Sequence, residues 1–366
     1  MFIDSDLQDL TTFVSPTPVL SVYCDTEPGQ RNSESFKLHL RSMLKKIDLS
    51  KDVTEVERYF NHEYDWNGKS AVVFSSFPQQ FFRVYNLAIP IGSFAIVSDR
   101  PAVRPLASVL ERYGSYGIAL IDKQRARMIH LHLGEILTEE QFNGQEIKHT
   151  KRGGASAVTG MRGGIAGQKD STAETTNQNL KAASEVAAAF FEREHVRRIL
   201  LGGTNEVVSQ FRSLLPKAWQ SLIVQTFAME MTINSTDLVE KANAVIKTAS
   251  EKQAEFLVRI LLDAAAKGQG AVLGMKDTLA AVSDNKVRTL IVLDGLHLSG
   301  QHCKSCGLLT TRAVHRCPNC NQLLSNQPDL IELAVSETLR KGGTVQPIPA
   351  SPTLEKAGSI GALLRY

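Results

Sequence analysis

The chain has 366 residues, 43% of them hydrophobic and 22% charged, with a formal charge of +3. These values fit two or three folded domains and exclude a disordered or heavily basic chain, so any anion-binding surface has to be local. No run approaches the length that spans a bilayer. The acidic start MFIDSDLQDL lacks the basic and apolar regions of a signal peptide, which predicts a cytoplasmic protein.

In chain order, PVLSVYCD, SAVVFSS and FFRVYNLAIP read as β-rich runs around a helical pattern at 34–47, a small α/β domain over residues 1–113. Cys24 has no base beside it in sequence and reads as a buried strand residue. Phe74, Phe77, Phe81, Phe82 and Tyr85 read as core aromatics rather than base-stacking ones. After the helix-like RPLASVLERY and the turn-rich YGSYG, GIALID and ARMIHLHLG form two strands joined by a polar turn at 122–125.

Ser171 and Glu174 match a capping box opening a long helix, whose apolar positions Leu180, Ala183, Val186, Ala187, Phe190 and Phe191 recur at helical spacing. RRILLGG, NEVVSQFRSLL and SLIVQTFAM then alternate strand, helix, strand, completing a second α/β domain over 114–235. Ser235 or Thr236 is placed to cap a third-domain helix. Its stripe runs Leu238, Ala242, Val245, Ala249, Leu257, Ile260, Leu261 and Ala264 and ends near Gly268. VRTLIVL, LIELAVSETLRKGG, TVQPI and SIGALLRY supply the strands and helix of a third α/β domain, 236–366.

Between the second domain's strands and its long helix lies KHTKRGGASAVTGMRGGIAGQKD, residues 148–170. Gly153, Gly154, Gly160, Gly163, Gly164 and Gly167 sit there among Lys148, Lys151, Arg152, Arg162 and Lys169, with the single acid Asp170. Such a segment cannot bury enough apolar surface to offset its chain entropy, which predicts a long surface loop with a charge suited to an anion. A nucleotide-phosphate loop is excluded, because Gln168 follows Gly167 where that motif needs lysine.

The strongest chemical motif is Cys303-x2-Cys306-x10-Cys317-x2-Cys320 within 299–326. Four thiolates on two knuckles complete a tetrahedral shell around one structural Zn²⁺ per chain and leave no open position for water or substrate. His302 and His315 beside them read as solvated neighbours.

The stretches YGIALIDKQRARMIHLHLG leading to KRGGASA, then RILLGG, LLDAAAKGQGAVLGMKDTLAAVSDNKVRTLIVL and GSIGALLRY resemble the archaeo-eukaryotic class-I release factors and their relative Pelota, from about residue 99 onward. The resemblance implies a bacterial member close to the Balon-like hibernation factors. It implies three successive α/β domains, the first facing the decoding centre, the second reaching toward the peptidyl-transferase centre, and the last similar to the kink-turn-binding ribosomal-protein fold with an inserted zinc ribbon. In the release factors the middle domain carries a Gly-Gly-Gln tip whose glutamine assists hydrolysis of peptidyl-tRNA. Here Gly153 and Gly154 are followed by Ala155, and the Asn-Ile-Lys-Ser stop-codon motif is absent.

A side chain without an amide cannot orient water, so the implied function is non-enzymatic. It is a monomeric, tRNA-shaped protein in the ribosomal A site, serving hibernation, with a translational GTPase, elongation factor Tu, as partner. The implied ribosomal-RNA contacts are Lys148, Lys151, Arg152, Gly153, Gly154, Ala155, Arg162, Gly163, Gly164, Gln168 and Lys169. Rescue of stalled ribosomes, a peptidyl-tRNA hydrolase using Gln168, and a zinc-containing RNA-binding protein that never enters the A site remain the alternatives.

Overall fold

The computed structural model describes residues 2–27, 33–147 and 166–365, with the side chains of 33 and 166–171 left aside. It divides into two compact units. One comprises residues 1–112 with 250–366, and the other is the continuous stretch 113–249.

In the first unit an antiparallel sheet has the spatial order Phe81–Leu87, Ser70–Ser76, Val19–Asp25, Phe94–Ser98. The two central strands are buried almost throughout, matching their continuous apolar and small-residue composition. Helices Ser33–Leu44 and Ser50–His62 cover one face, where Leu20, Val22, Cys24, Ala71 and Val73 meet Phe36, Leu40, Val56 and Phe60. Cys24 is thus a core residue, 1% exposed. Phe74 is fully buried and Phe81 stacks on Phe13, whereas Phe77 stands 43% exposed with the Lys51 ammonium above its ring.

The same unit holds a second sheet, ordered Ala271–Leu273, Ile360–Leu364, Val287–Leu293, Thr344–Ile348, in which only the last pair is parallel. Helix Leu330–Arg340 packs on it. The side chain of Asp329 caps this helix by accepting from the amides of Ile331 and Glu332. A three-stranded sheet, Leu309–Thr310, Gly300–His302, Ser325–Gln327, carries the cysteine segment.

The second unit is built on a five-stranded sheet in the order Glu135–Asn143, Arg125–His132, Ser115–Ile121, Ile199–Gly203, Ile223–Phe227. The first three form an antiparallel meander and the last two run parallel to the central strand. Strand alternation sorts the side chains into two cores. Ala119, Ile121, Ala126 and Met128 face helices Ala166–Arg193 and Asn205–Leu214, while Ile118, Leu120, Ile129 and Leu131 face Leu238, Ala242 and Ile246.

Those last three residues belong to helix Ser235–Ala266, which also supplies Ala254, Val258 and Leu261 to the other unit's core. Its cap is Asn234, whose Oδ1 accepts from the Asp237 amide at 2.9 Å, one residue before the expected position. Ile260, read as part of the apolar stripe, is 36% exposed beside Phe256 at 46%, because the core-facing turn uses Ala254 and Val258 instead. The expected capping box at Ser171 and Glu174 is also displaced. The helix already begins at Ala166, since AGQKD contains no proline or β-branched residue to stop it.

Candidate functional site

The glycine-rich stretch lies mostly outside the described residues, which include none of Lys148, Lys151, Arg152, Gly153, Gly154, Ala155, Arg162, Gly163 and Gly164. Gln168 and Lys169 fall in the first turn of helix Ala166–Arg193. What is described is the base from which the stretch departs. Gly144 donates its amide to the Gln124 carbonyl at 2.8 Å. Its neighbour Gln145 is clasped by Asn179, whose Oδ1 accepts from the Gln145 amide at 2.8 Å and whose Nδ2 donates to the carbonyls of Gln145 and Lys123 at 2.9 and 3.3 Å. Asn179 is 3% exposed.

A β-carbon at position 144 would stand 2.4 Å from Asn179 Oδ1 and 2.9 Å from the Gln124 carbonyl oxygen, so only glycine lets these backbones meet. Asn179 therefore ties the exit of the sheet's edge strand, at Gln145, to helix Ala166–Arg193. Asn179→Ala removes its hydrogen bonds to the backbone of Gln145 and Lys123, each worth roughly 0.5–1.5 kcal/mol net, and the loss should be read as a lowered denaturation midpoint with an unchanged m-value.

At the opposite end of the same sheet, Ser115 Oγ lies 2.7 Å from His130 Nε2, and His130 Nδ1 lies 3.2 Å from Glu194. The order hydroxyl, imidazole, carboxylate is that of a nucleophile chain. Glu194 is shared with Arg193 at 3.2 Å, however, and neither cleft described in this unit is lined by these residues. The chain serves to join two strands to the end of helix Ala166–Arg193. The larger cleft, about 630 Å³, opens beside Gly203, Thr204 and Asn234 and mixes Glu230 and Asp237 with Lys241, so it selects no charge.

In the first unit the four cysteines converge. Their sulfurs all lie within 4.8 Å of one another, with Cys303 to Cys320 and Cys306 to Cys317 each at 3.4 Å. The amide of Gly307 donates to the Cys303 carbonyl and that of Asn321 to the Cys317 carbonyl, closing a tight turn at each knuckle. Amide hydrogen bonds, first that of Cys306, pull the Cys303 thiol down to about 6, while burial and the neighbouring sulfurs push Cys306 up to about 12, so the cluster by itself favours a thiolate at Cys303. Four sulfurs at this separation fit a zinc ribbon. His315 is exposed, as the sequence suggests. His302 is not a solvated neighbour: it is 7% exposed, because strand Gly300–His302 is central in the ribbon sheet.

A buried polar seam within the same unit joins segments 192 to 237 residues apart. Glu332 Oε1 accepts from the amides of Val103 at 2.6 Å and Arg104 at 3.1 Å. Arg104 donates to the Leu296 carbonyl and lies 3.8 Å from Asp329, and Arg100 pairs with Glu337 at 3.3 Å. Burial pushes the Glu332 carboxyl up to about 7, against the opposing pull of Arg104. Between the ordinary value of 4.5 and about 7 the folded chain holds a proton that the unfolded chain has lost. The seam's contribution is thus full below that window and is lost as pH rises through 7. Thermal melting from pH 5.5 to 8 should show this fall, and Glu332→Gln, which keeps the acceptor but cannot ionise, should flatten it.

Comparison with known proteins gives one family. Residues 101–254 match the family described as bacterial archaeo-eukaryotic release factor family 10. No curated protein matches the chain by sequence. Among solved structures it is similar to an archaeal translation termination factor, aRF1, at 16% identity and a TM-score of 0.26, covering 100% of this chain and 99% of that one. It is also similar to Archaeoglobus fulgidus Pelota, at 12% identity and 0.34, covering 100% and 92%. A third is S. cerevisiae Dom34, at 10% identity and 0.43, covering 97% of each. Residues 101–254, a stretch that spans the second unit, thus resemble a bacterial family of archaeo-eukaryotic release factors.

Proposed function

We propose that this protein is a cytoplasmic, monomeric ribosome-binding factor that occupies the A site in hibernation without hydrolysing peptidyl-tRNA. The observation that carries the reading is the match of residues 101–254 to a release-factor family in a chain whose Gly153-Gly154 is followed by Ala155. The Gly144, Gln145 and Asn179 clasp gives the basic stretch a fixed point of departure. A stretch so anchored can present Lys148, Lys151, Arg152, Arg162 and Lys169 to RNA phosphates while its glycines allow close approach. The cysteine ribbon holds one structural Zn²⁺, and the unit that carries it faces a translational GTPase, elongation factor Tu.

Gln168 is disfavoured as a substitute catalyst because its backbone is already committed to helix Ala166–Arg193. Single-turnover release of peptide from loaded ribosomes tests this, with no release above the buffer rate expected. Efficient release that disappears in Gln168→Ala would replace the reading with a hydrolase. Hibernation predicts binding to vacant ribosomes as well as to stalled ones, whereas binding confined to stalled complexes would make the factor one of rescue.

A further inference from the structure

The cysteine ribbon has a surface that a purely structural metal clip does not require. Between Asp294 and Asp329 the sequence contains no aspartate or glutamate. Lys304, Arg312 and Arg316 are all exposed there, and among the described residues none of them meets a carboxylate. Lys304 follows Cys303 on the first knuckle and Arg316 precedes Cys317 on the second, so each cation neighbours in sequence a cysteine of the sulfur cluster. Arg316 forms an antiparallel bridge with Leu323, which places their side chains side by side. Leu323 is 73% exposed, the most exposed large apolar side chain described. The Arg316 guanidinium donates to the Asn321 carbonyl at 3.1 Å, and Asn321 and Gln322, which carry amide side chains, are exposed residues of the same turn.

From this juxtaposition we infer that the exposed side of the ribbon is an RNA-binding surface, separate from the glycine-rich stretch. It takes a single-stranded or looped segment, with phosphates on Lys304, Arg312 and Arg316 and a base or ribose against Leu323. A zinc tetrathiolate carries net negative charge, so the ribbon as a whole is only weakly positive and long-range attraction is small. Binding therefore rests on local contacts: cations on phosphate oxygens, an apolar contact with a base or ribose, and amides that offer both donors and acceptors to base edges. That combination suits a nucleotide chain better than an acidic peptide, which offers no base edges for the amides to read. The inference needs RNA but not a ribosome, so it stands apart from the A-site reading.

The test uses the full-length, zinc-loaded protein and a fluorescein-labelled RNA hairpin with a pyrimidine-rich loop, titrated by anisotropy over a series of KCl concentrations. The double variant Lys304→Gln/Arg312→Gln leaves the Arg316 hydrogen bond intact. It should weaken binding and reduce the slope of log affinity against log salt by about 0.7–0.9 for each of the two cations removed. Leu323→Ser should weaken binding several-fold with the slope unchanged, while Lys304→Arg/Arg312→Lys should bind as the parent does. Unchanged affinity and slope in the double variant would overturn the inference. So would loss of binding in the charge-conserving pair, which would mean that the fold rather than the charge was being read. Displacement of the RNA by poly-glutamate at equal charge would assign the surface to an acidic protein instead. None of these outcomes bears on ribosome sedimentation.

Discussion

Replacing Cys317 with serine, or withdrawing the metal with a chelator, is expected to unfold the segment 299–326 and leave both larger sheets of the same unit in place. The ribbon's own sheet has strands of only two or three residues, Leu309–Thr310, Gly300–His302 and Ser325–Gln327, too short to hold a core. A structural Zn²⁺ contributes roughly 10–16 kcal/mol of apparent binding free energy, so its loss removes far more than such a segment can replace. The neighbouring sheet has independent support, since Leu261, Ile291, Ile348, Leu354 and Leu363 form a core without ribbon residues. Hydrogen exchange should show protection vanishing across 299–326 and kept at Val287–Leu293, and metal analysis of the parent protein should find one zinc per chain. Protein purified without chelator that contains no zinc would contradict this.

Neutralising Lys148, Lys151, Arg152, Arg162 and Lys169 together is expected to weaken ribosome binding by orders of magnitude at physiological salt. Each cation that pairs with a phosphate should, once neutralised, flatten the salt dependence by about 0.7–0.9 in the log–log slope. Stability should hardly move if the sequence-based expectation of a surface loop holds, because surface charges contribute little to folding. Gly153→Val and Gly154→Val form an independent arm, expected to impair binding by bulk and restricted dihedrals without any change of charge. Co-sedimentation over a salt series reads both sets. If neither set changes it, the stretch is a connector.

Much of this architecture can be read from periodicity. The strands Ser115–Ile121, Ile199–Gly203 and Val287–Leu293 each contain a run of apolar and small residues, GIALI, ILLGG and LIVL, and the cysteine spacing alone identifies a ribbon. What escapes the sequence does so for identifiable reasons. Strand Glu135–Asn143 is an exposed sheet edge rich in glutamate, so it lacks the alternation that marks a half-buried strand. Helix Asp4–Thr12 buries only Leu7, Leu10 and Thr11 of its nine residues, too few to set a stripe.

The clasp at Asn179 and the seam at Glu332 depend on partners 34 and 229 residues away in sequence. A polar residue inside a helical pattern reads as solvated until its distant partner is known. The same non-local pairing unites 1–112 with 250–366, a grouping that no boundary signal along the chain announces.

The central claim is occupancy of the ribosomal A site, and competition for it is the direct test. Purified protein mixed with 70S particles should pellet with them through a sucrose cushion. Prior occupation of the A site by tRNA should leave it in the supernatant, while tRNA confined to the P site should not. Pelleting that A-site tRNA does not reduce, or no pelleting at all, would contradict the account.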